Sequence, residues 1–324
     1  MSRKEISRVT QEYIEKYAGE LSKKMISELM HEERPDLYKT AEHARSSVRF
    51  FTGNRGKKSR RHIETNKRFF SAYPEPMPED YFYDITEEKA KILLLSDIHV
   101  PFQDKQALDL AVNYGVKKNP DIVLLNGDIF DHYSESRHQK DYRKRDPIYD
   151  YEQYQDFLFE LRCAFPDARI IMKLGNHELW WEKWFIRNGM GKFLEVPHFQ
   201  YDKIMKLEEH KIQLVPDYAT ITVAGLNIIH GHEYPGGGGG VNPARWLSLR
   251  ARESTICGHF HRSSGHTDRT HRGDIISYWT TGHLAQERPR YMGYNGWNHG
   301  FAFIIKEGKY FHVKNKQIHK GLIL

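Results

Sequence analysis

The strongest constraint on this chain is a set of short apolar runs, each halted by Asp, His or Asn. Residues 92–95 lead into Ser96-Asp97-Ile98-His99, residues 122–125 into Asn126-Gly127-Asp128-Ile129-Phe130-Asp131, and residues 170–174 into Gly175-Asn176-His177-Glu178. Helix-like segments follow these ends, so the pattern is α/β. Open α/β sheets bind ligands at such strand ends. Further on, residues 219–223 and 226–229 read as a hairpin ending in His230-Gly231-His232, and residues 255–257 run into Gly258-His259-Phe260-His261.

This set of donors suits two divalent cations about 3.5–4 Å apart, each held by protein ligands and sharing one anionic bridge. Asp97 and His99 are two apart at an extended strand end and can chelate one ion from the same side, and His259 and His261 repeat the spacing. The two cysteines, Cys163 and Cys257, form no CxxC pair, which excludes a disulfide framework and a thiolate zinc finger. Imidazole favours Mn, Fe or Zn over Mg alone. Taken singly, each residue has a plainer role: His99 in a capped loop, Asp128 as a helix N-cap, Asn176 in a turn, His230 as a satisfied core histidine.

In this order, however, Asp-x-His, Gly-Asp-x-x-Asp, Gly-Asn-His-Glu, His-Gly-His and Gly-His-x-His resemble the calcineurin-like metallophosphoesterase superfamily across residues 91–261. The resemblance implies a four-layer α/β/β/α sandwich carrying two metal ions, with Mn favoured and Fe or Zn as alternatives. It assigns Asp97, His99, Asp128 and His261 to one metal, and Asp128, Asn176, His230 and His259 to the other. A hydroxide bridging the metals would then attack phosphorus, His177 would protonate or stabilise the leaving oxygen, and Glu178 and Asp131 would orient their neighbours. His230, directly at the strand end, is assigned ahead of His232. The 236–240 glycine run is either a phosphate-approach loop or simply flexible. Trp297-Asn298-His299-Gly300 is a weak candidate for substrate contact, and His266, His271 and His283 are treated as ordinary.

The net charge of +6 is unevenly placed. Residues 43–68 hold nine bases, including Arg45, Arg49, Lys57, Lys58, Arg60 and Arg61, against the single acid Glu64. A helix from about 10 to 30 and another from Pro35 to about 51, stopped by Gly53, would pack as a hairpin, a form used both for groove binding and for dimerisation. Pro74, Pro76 and Pro78 mark an extended acidic linker. The expected division is a basic helical module over 1–70, the linker over 71–88, and a metallophosphoesterase domain over 89–324.

Mean hydropathy of -0.72 excludes a membrane span, and the N-terminus lacks an apolar export core, so a cytoplasmic protein is expected. The superfamily motif gives the reaction but not the ester. Serine/threonine phosphatases of the superfamily carry Arg where this chain has His132-Tyr133 and Leu174, which lowers the phosphoprotein reading. Basic residues over 43–68 and 137–145 favour a polyanion, and Gly127-Asp128-Ile129-Phe130-Asp131 is similar to DNA-repair nucleases. The whole arrangement is similar to phage and mobile-element phosphoesterases. The expectation is therefore a phosphodiesterase or nuclease. The alternatives are a phosphomonoesterase acting on nucleotides or phosphoproteins, and a non-catalytic DNA-binding or scaffold protein. The sequence leaves the oligomeric state open.

Overall fold

The computed structural model describes residues 3–53, 82–137, 146–215, 219–235, 240–289 and 294–324. Chain contacts divide it into two units, 1–78 and 79–324.

The first unit contains α1 (Arg3–Tyr17), α2 (Lys23–Glu33) and α3 (Ala41–Thr52). The helix expected over 10–30 is thus broken in two. Gly19 takes a left-handed φ of +93°, and Ser22 restarts the helix by accepting a hydrogen bond from Met25 N. Pro35 does not open α3. It lies in a turn that delivers Leu37 and Tyr38 to a small core with Val9, Ile26, Met30, Ala44 and Val48, and Thr40 caps α3 instead. Gly53 does stop α3, its N–H reaching Arg49 O at 2.7 Å. Arg45 and Arg49 both lie near the Glu42 carboxylate, at 3.7 and 3.2 Å, in exposed positions. Residues 54–81, including Lys57, Lys58, Arg60 and Arg61, and 138–145 of the second basic run lie outside the described residues.

The second unit has two sheets. Strands β1 (Phe82–Asp84), β2 (Lys89–Leu95), β3 (Ile122–Asn126), β4 (Arg169–Lys173), β5 (Ile212–Leu214), β6 (Thr220–Val223), β7 (Leu226–Ile229), β8 (Thr255–Cys257), β9 (Ser264–Arg269), β10 (Ile275–Thr280), β11 (His299–Glu307), β12 (Tyr310–His319) and β13 (Leu322–Ile323) follow in chain order. One sheet runs β13-β12-β11-β2-β3-β4-β5 and the other β1-β6-β7-β8-β10-β9. Residues 82–84, assigned from sequence to the linker, are instead an edge strand parallel to β6.

Side-chain alternation builds the layers. Ile92, Leu94, Ile122, Leu124 and Ile171 point to a core between the sheets, where they meet Ile221, Val223, Ile228 and Ile256. Leu93, Leu95, Val123, Leu125, Ile170 and Met172 point the other way, onto Ala107 and Ala111 of α4 (Lys105–Lys118) and Leu158 and Leu161 of α5 (Pro147–Ala164). Strands buried on both faces explain the unbroken apolar runs in the sequence. Across the second sheet, Ile229, Cys257 and Tyr278 pack on Ala244 and Leu247 of a helix at Pro243–Ala251. The outcome is α/β/β/α. The β6–β7 hairpin forms as the sequence predicts, with Ala224 and Gly225 at φ +50° and +86° in a two-residue turn.

Candidate metal centre

The ends of β2, β3 and β4 in one sheet and β7 and β8 in the other converge on a single cluster. Asp97, His99 and His261 bring ligand atoms within 4.8 Å of one another; so do His99, Asp128 and His177, and so do Asp128, His230 and His259. Asp128 therefore belongs to two groups, and residues far apart in sequence meet there. Five of these residues hold left-handed backbone: Asp97 (φ 55°), His99 (52°), Asp128 (51°), His259 (67°) and His261 (55°). Such conformations cost about 1–3 kcal/mol each for non-glycine residues and persist only where the surroundings impose them.

The surroundings here are close backbone contacts. At Gly127 (φ +83°), an added Cβ would come 2.5 Å from His230 Nδ1 and 2.8 Å from Gly175 Cα. At Gly175 it would collide with Asp128 itself. The Gly residues that read as motif spacers are thus the points where two ligand loops touch.

The ring orientations suit metal binding. Nδ1 of His230 donates to Asn126 O (2.8 Å), and Nδ1 of His177 donates to Asp131 O (2.6 Å), since a carbonyl can only accept. Nδ1 of His99 faces Asp131 Oδ1 at 3.2 Å. Each pairing leaves Nε2 for the cluster, the arrangement in which an outer acceptor fixes a ligating imidazole. His230 Nε2 stands 3.2 Å from Asp128 Oδ2, His177 Nε2 3.8 Å and His99 Nε2 3.9 Å. His261 Nε2 is 3.3 Å from Asp97 Oδ1 and 3.2 Å from His99 Nε2. Among the described residues Asn176 Oδ1 is buried without a hydrogen-bond partner, and His230 Nε2 is buried with the Asp128 carboxylate as its neighbour but no hydrogen bond of good geometry. Buried donors and acceptors are rarely left so, and both fit cation ligands.

Electrostatics point the same way. Burial opposes charge on His230 and His99, yet Asp128 at the first, and Asp131 and Asp128 at the second, push them up to about 10 and about 9. Burial likewise opposes charge on Asp97 and Asp128, yet neighbouring histidines, led by His261 and His230 respectively, hold both below the usual carboxylate range. Burial lowers His177 and His259 to about 4. The cluster demands positive charge, and without a cation its own imidazoles carry it. The residues fit a dinuclear site: Asp97, His99, Asp128 and His261 could hold one ion, and Asp128, Asn176, His230 and His259 the other.

Glu178, which the resemblance implies orients its neighbours, is placed to do so. Its oxygens accept hydrogen bonds from Asp128 N (2.9 Å), Ile129 N (2.7 Å), Phe130 N (3.1 Å) and Gly175 N (2.7 Å), and it is 1% exposed. Asp131 also positions others, through His99 and His177.

Four further contributors escape sequence reasoning. Glu233 accepts from His230 N (3.0 Å) and Gly231 N (2.6 Å), and its carboxylate meets the buried Lys173 ammonium at 3.0 Å. Burial opposes its charge, but Lys173 first and His232 next bring it down to about 2. Ser96 Oγ donates to Asp97 Oδ2 at 2.5 Å. His283, read as ordinary, is fully buried and stacks on His261, ring centres 5.0 Å apart. For Ser96, adjacency to Asp97 was the available signal; for Lys173 and Glu233 no local pattern exists. His232 Nδ1 lies 3.7 Å from Glu233 Oε2, and its ring lies 5.4 Å from that of His230. His266 pairs with Asp268 on β9, and His271 lies in the turn after that strand. Of the glycine run, only Gly240 is described.

Two facing sheets thus carry one buried cluster of candidate metal ligands at their strand ends. Residues 90–286 match the model of the calcineurin-like phosphoesterase family, and the chain belongs to that family. It is 25% identical over 242 residues to the gene 54 protein of Mycobacterium phage L5, covering 69% of this chain and 91% of that one. The gene 54 protein of Mycobacterium phage D29 is 24% identical over 183 residues, covering 53% and 69%. Among solved structures, Vps29 from Entamoeba histolytica complexed with zinc aligns at TM-score 0.38 and 11% identity, covering 72% of this chain and 96% of that one. A dimetal phosphatase from Danio rerio aligns at TM-score 0.31 and 11% identity, covering 69% and 98%. Among the described residues no helix is long and apolar enough to cross a membrane.

Proposed function

We propose that this chain is a two-metal phosphodiesterase whose substrate class is nucleic acid. The observation that carries the reaction is Asp128, buried and shared by two ligand groups, so that one carboxylate can serve two cations. When bound, the cations, for which we propose Mn, would supply Lewis acidity toward the phosphoryl oxygens and lower the pKa of water.

The chain's own residues do the rest. Asp97 and Asp128 hold negative charge in a buried place. Asp131 and Asn126 fix the imidazole tautomers. His177 lies 18% exposed, at the open side of the cluster, with Nδ1 committed to Asp131 O. A proton on its Nε2 therefore makes an imidazolium, which burial opposes and the Asp128 and Asp131 carboxylates at 3.8 and 3.6 Å only partly offset, so that a proton held there is readily given up to the leaving oxygen. Trp180, its ring 3.9 Å from that of His177, keeps the imidazole in place from one side.

The polyanion reading rests on the nine bases over 43–68 and on the run over 137–145. The test is a panel of para-nitrophenyl monoesters and diesters with single- and double-stranded DNA and RNA, in Mn and in chelator. Chelator-sensitive diester and nucleic-acid cleavage, lost in Asp128→Asn together with metal content, supports the reading. Cleavage of monoesters alone makes the chain a phosphomonoesterase. Full turnover by metal-replete Asp128→Asn refutes the two-metal reading.

A further inference from the structure

Beside the cluster, on the side of His259, lies a cleft of about 320 Å3 bounded by Phe260, Arg262 and Trp297, with Gly240, Pro243 and Gly296 completing its wall. A larger cleft of about 630 Å3 lies against β5 and is lined by none of the clustered ligands. The smaller one therefore adjoins the chemistry.

Its walls combine two recognition elements. Among the described residues, the Arg262 guanidinium meets no carboxylate; its hydrogen bond is a 3.5 Å contact from Nη1 to Gly240 O. An uncompensated, half-exposed guanidinium beside a site for phosphate is an anion receptor, with a planar fork suited to phosphate oxygens. The second element is aromatic. Trp297 is half-buried, its ring 4.4 Å from that of His261, and Phe260 stands 5.3 Å from His259. Both rings touch a candidate ligand on one edge and border the cleft.

The cleft is also built firmly. Asn298 Oδ1 accepts from Ser263 N (2.8 Å), Asn298 N donates to His261 O (3.0 Å), and His283 N donates to Asn298 O (3.1 Å). Trp297 N is held by Asn295 Oδ1 at 3.0 Å. The turn carrying Trp297 is thus pinned to the segment carrying His261 and Arg262, so a ligand need not order it.

An aromatic face next to a free guanidinium answers the two parts of a nucleotide, base and phosphate. We infer that this cleft receives the nucleoside adjoining the scissile phosphate, its base against Trp297 or Phe260 and a neighbouring phosphate on Arg262. The inference rests on the phosphodiesterase reading and specifies its substrate as a nucleoside phosphodiester. A bare phosphate or simple alkyl ester would engage the cluster but leave the rings unused.

The test is calorimetric titration of the full-length Mn-loaded protein, and of Trp297→Leu and Arg262→Ala, with 5′-phosphorylated, phosphorothioate-linked dithymidine, which carries a second phosphate beside the internucleotide one, and with inorganic phosphate. Base stacking is worth about 1–3 kcal/mol, so Trp297→Leu should weaken dinucleotide binding about tenfold while phosphate affinity stays within about twofold. Arg262→Ala, at the half-exposed rim, should weaken the dinucleotide to a similar degree without lowering the melting temperature. Dinucleotide affinity unchanged in both variants overturns the inference. So does an equal loss for phosphate in Trp297→Leu, which would place the effect in the cluster rather than the cleft. If the dinucleotide binds as expected but no ester is hydrolysed, the cleft stands and the catalytic reading fails. If esters are hydrolysed and the variants bind normally, the reverse holds.

Discussion

Replacing Glu178 by Gln removes one negative charge and swaps one acceptor oxygen for an NH2 donor, with almost no change of volume. In the native protein, Oε2 accepts from Asp128 N and Gly175 N, and Oε1 accepts from Ile129 N and Phe130 N. Whichever position the new NH2 takes, it faces two backbone donors in a site that is 1% exposed. Two hydrogen bonds to a charged acceptor are lost, at about 1.5–3 kcal/mol each, before any cost for the stranded donors. The expected destabilisation is therefore about 3 kcal/mol or more, and for a domain of this size the melting temperature should fall by about 6–12 °C. The same bonds set the Asp128 loop against the Gly175 turn, so metal content should fall as well. Differential scanning calorimetry and metal analysis of the purified variant provide the measurement. A Glu178→Gln protein that melts within about 2 °C of wild type and keeps its metals would refute the view that this carboxylate ties the ligand loops together.

His177→Ala should keep both metals and lose rate most for esters with basic leaving groups, because a proton donor matters in proportion to leaving-group basicity; equal loss across leaving groups of widely different pKa refutes the acid role. In chelator, His230 at about 10 and His99 at about 9 are raised above the ordinary histidine value of about 6.5. Their contribution to stability is complete below that unfolded value and is lost as pH rises through 9–10, so the metal-free protein should melt progressively lower from neutral to alkaline pH, read by calorimetry. Metal loading displaces those protons, so affinity should fall as pH drops, and titration in buffers of different ionisation enthalpy should show proton release; no release contradicts the ligand set. Deleting residues 1–78 should leave hydrolysis of small diesters unchanged but reduce cleavage of polymeric nucleic acid and flatten the salt dependence of binding; unaltered polymer turnover with a changed sedimentation mass makes the N-terminal unit an assembly arm.

The parts of this molecule legible in the sequence are those encoded locally. Ile92 to Leu95 and Ile122 to Leu125 are apolar at every position because both strand faces are covered, and the polar residues that stop them are the ones the fold brings to the cluster. The hairpin turn at Ala224-Gly225 carried its own backbone signature. What stayed hidden depends on partners distant along the chain. Phe82 to Asp84 lie in an acidic, proline-marked stretch and become a strand only because β6 offers an open edge. Lys173 ends a strand as an apparently ordinary base, and only the folded chain shows its ammonium buried against Glu233 and the Ala219 carbonyl. The break between α1 and α2 was written in Gly19 and Ser22, but apolar spacing continued across it and masked the signal.

These hidden partners explain how the cluster holds its shape. Asp97, Asp128 and Asn176 come from one sheet, and His230, His259 and His261 from the other, with left-handed backbone at five of the ligand positions. At about 1–3 kcal/mol each, strain of that kind relaxes unless the surrounding structure imposes it. Here, buried groups behind the ligands impose the geometry. Glu178 gathers the Asp128 and Gly175 loops, and Glu233 with Lys173 gathers the His230 turn. Asp97 accepts from His259 N at 3.0 Å through both oxygens, joining a strand end of one sheet to a strand end of the other. Each of these uses a charge to satisfy backbone donors, so the negative potential they create also favours cations at the place they shape. The cost of folding the site is therefore met mainly by the scaffold, and cation binding can be spent on holding and polarising the phosphate ester.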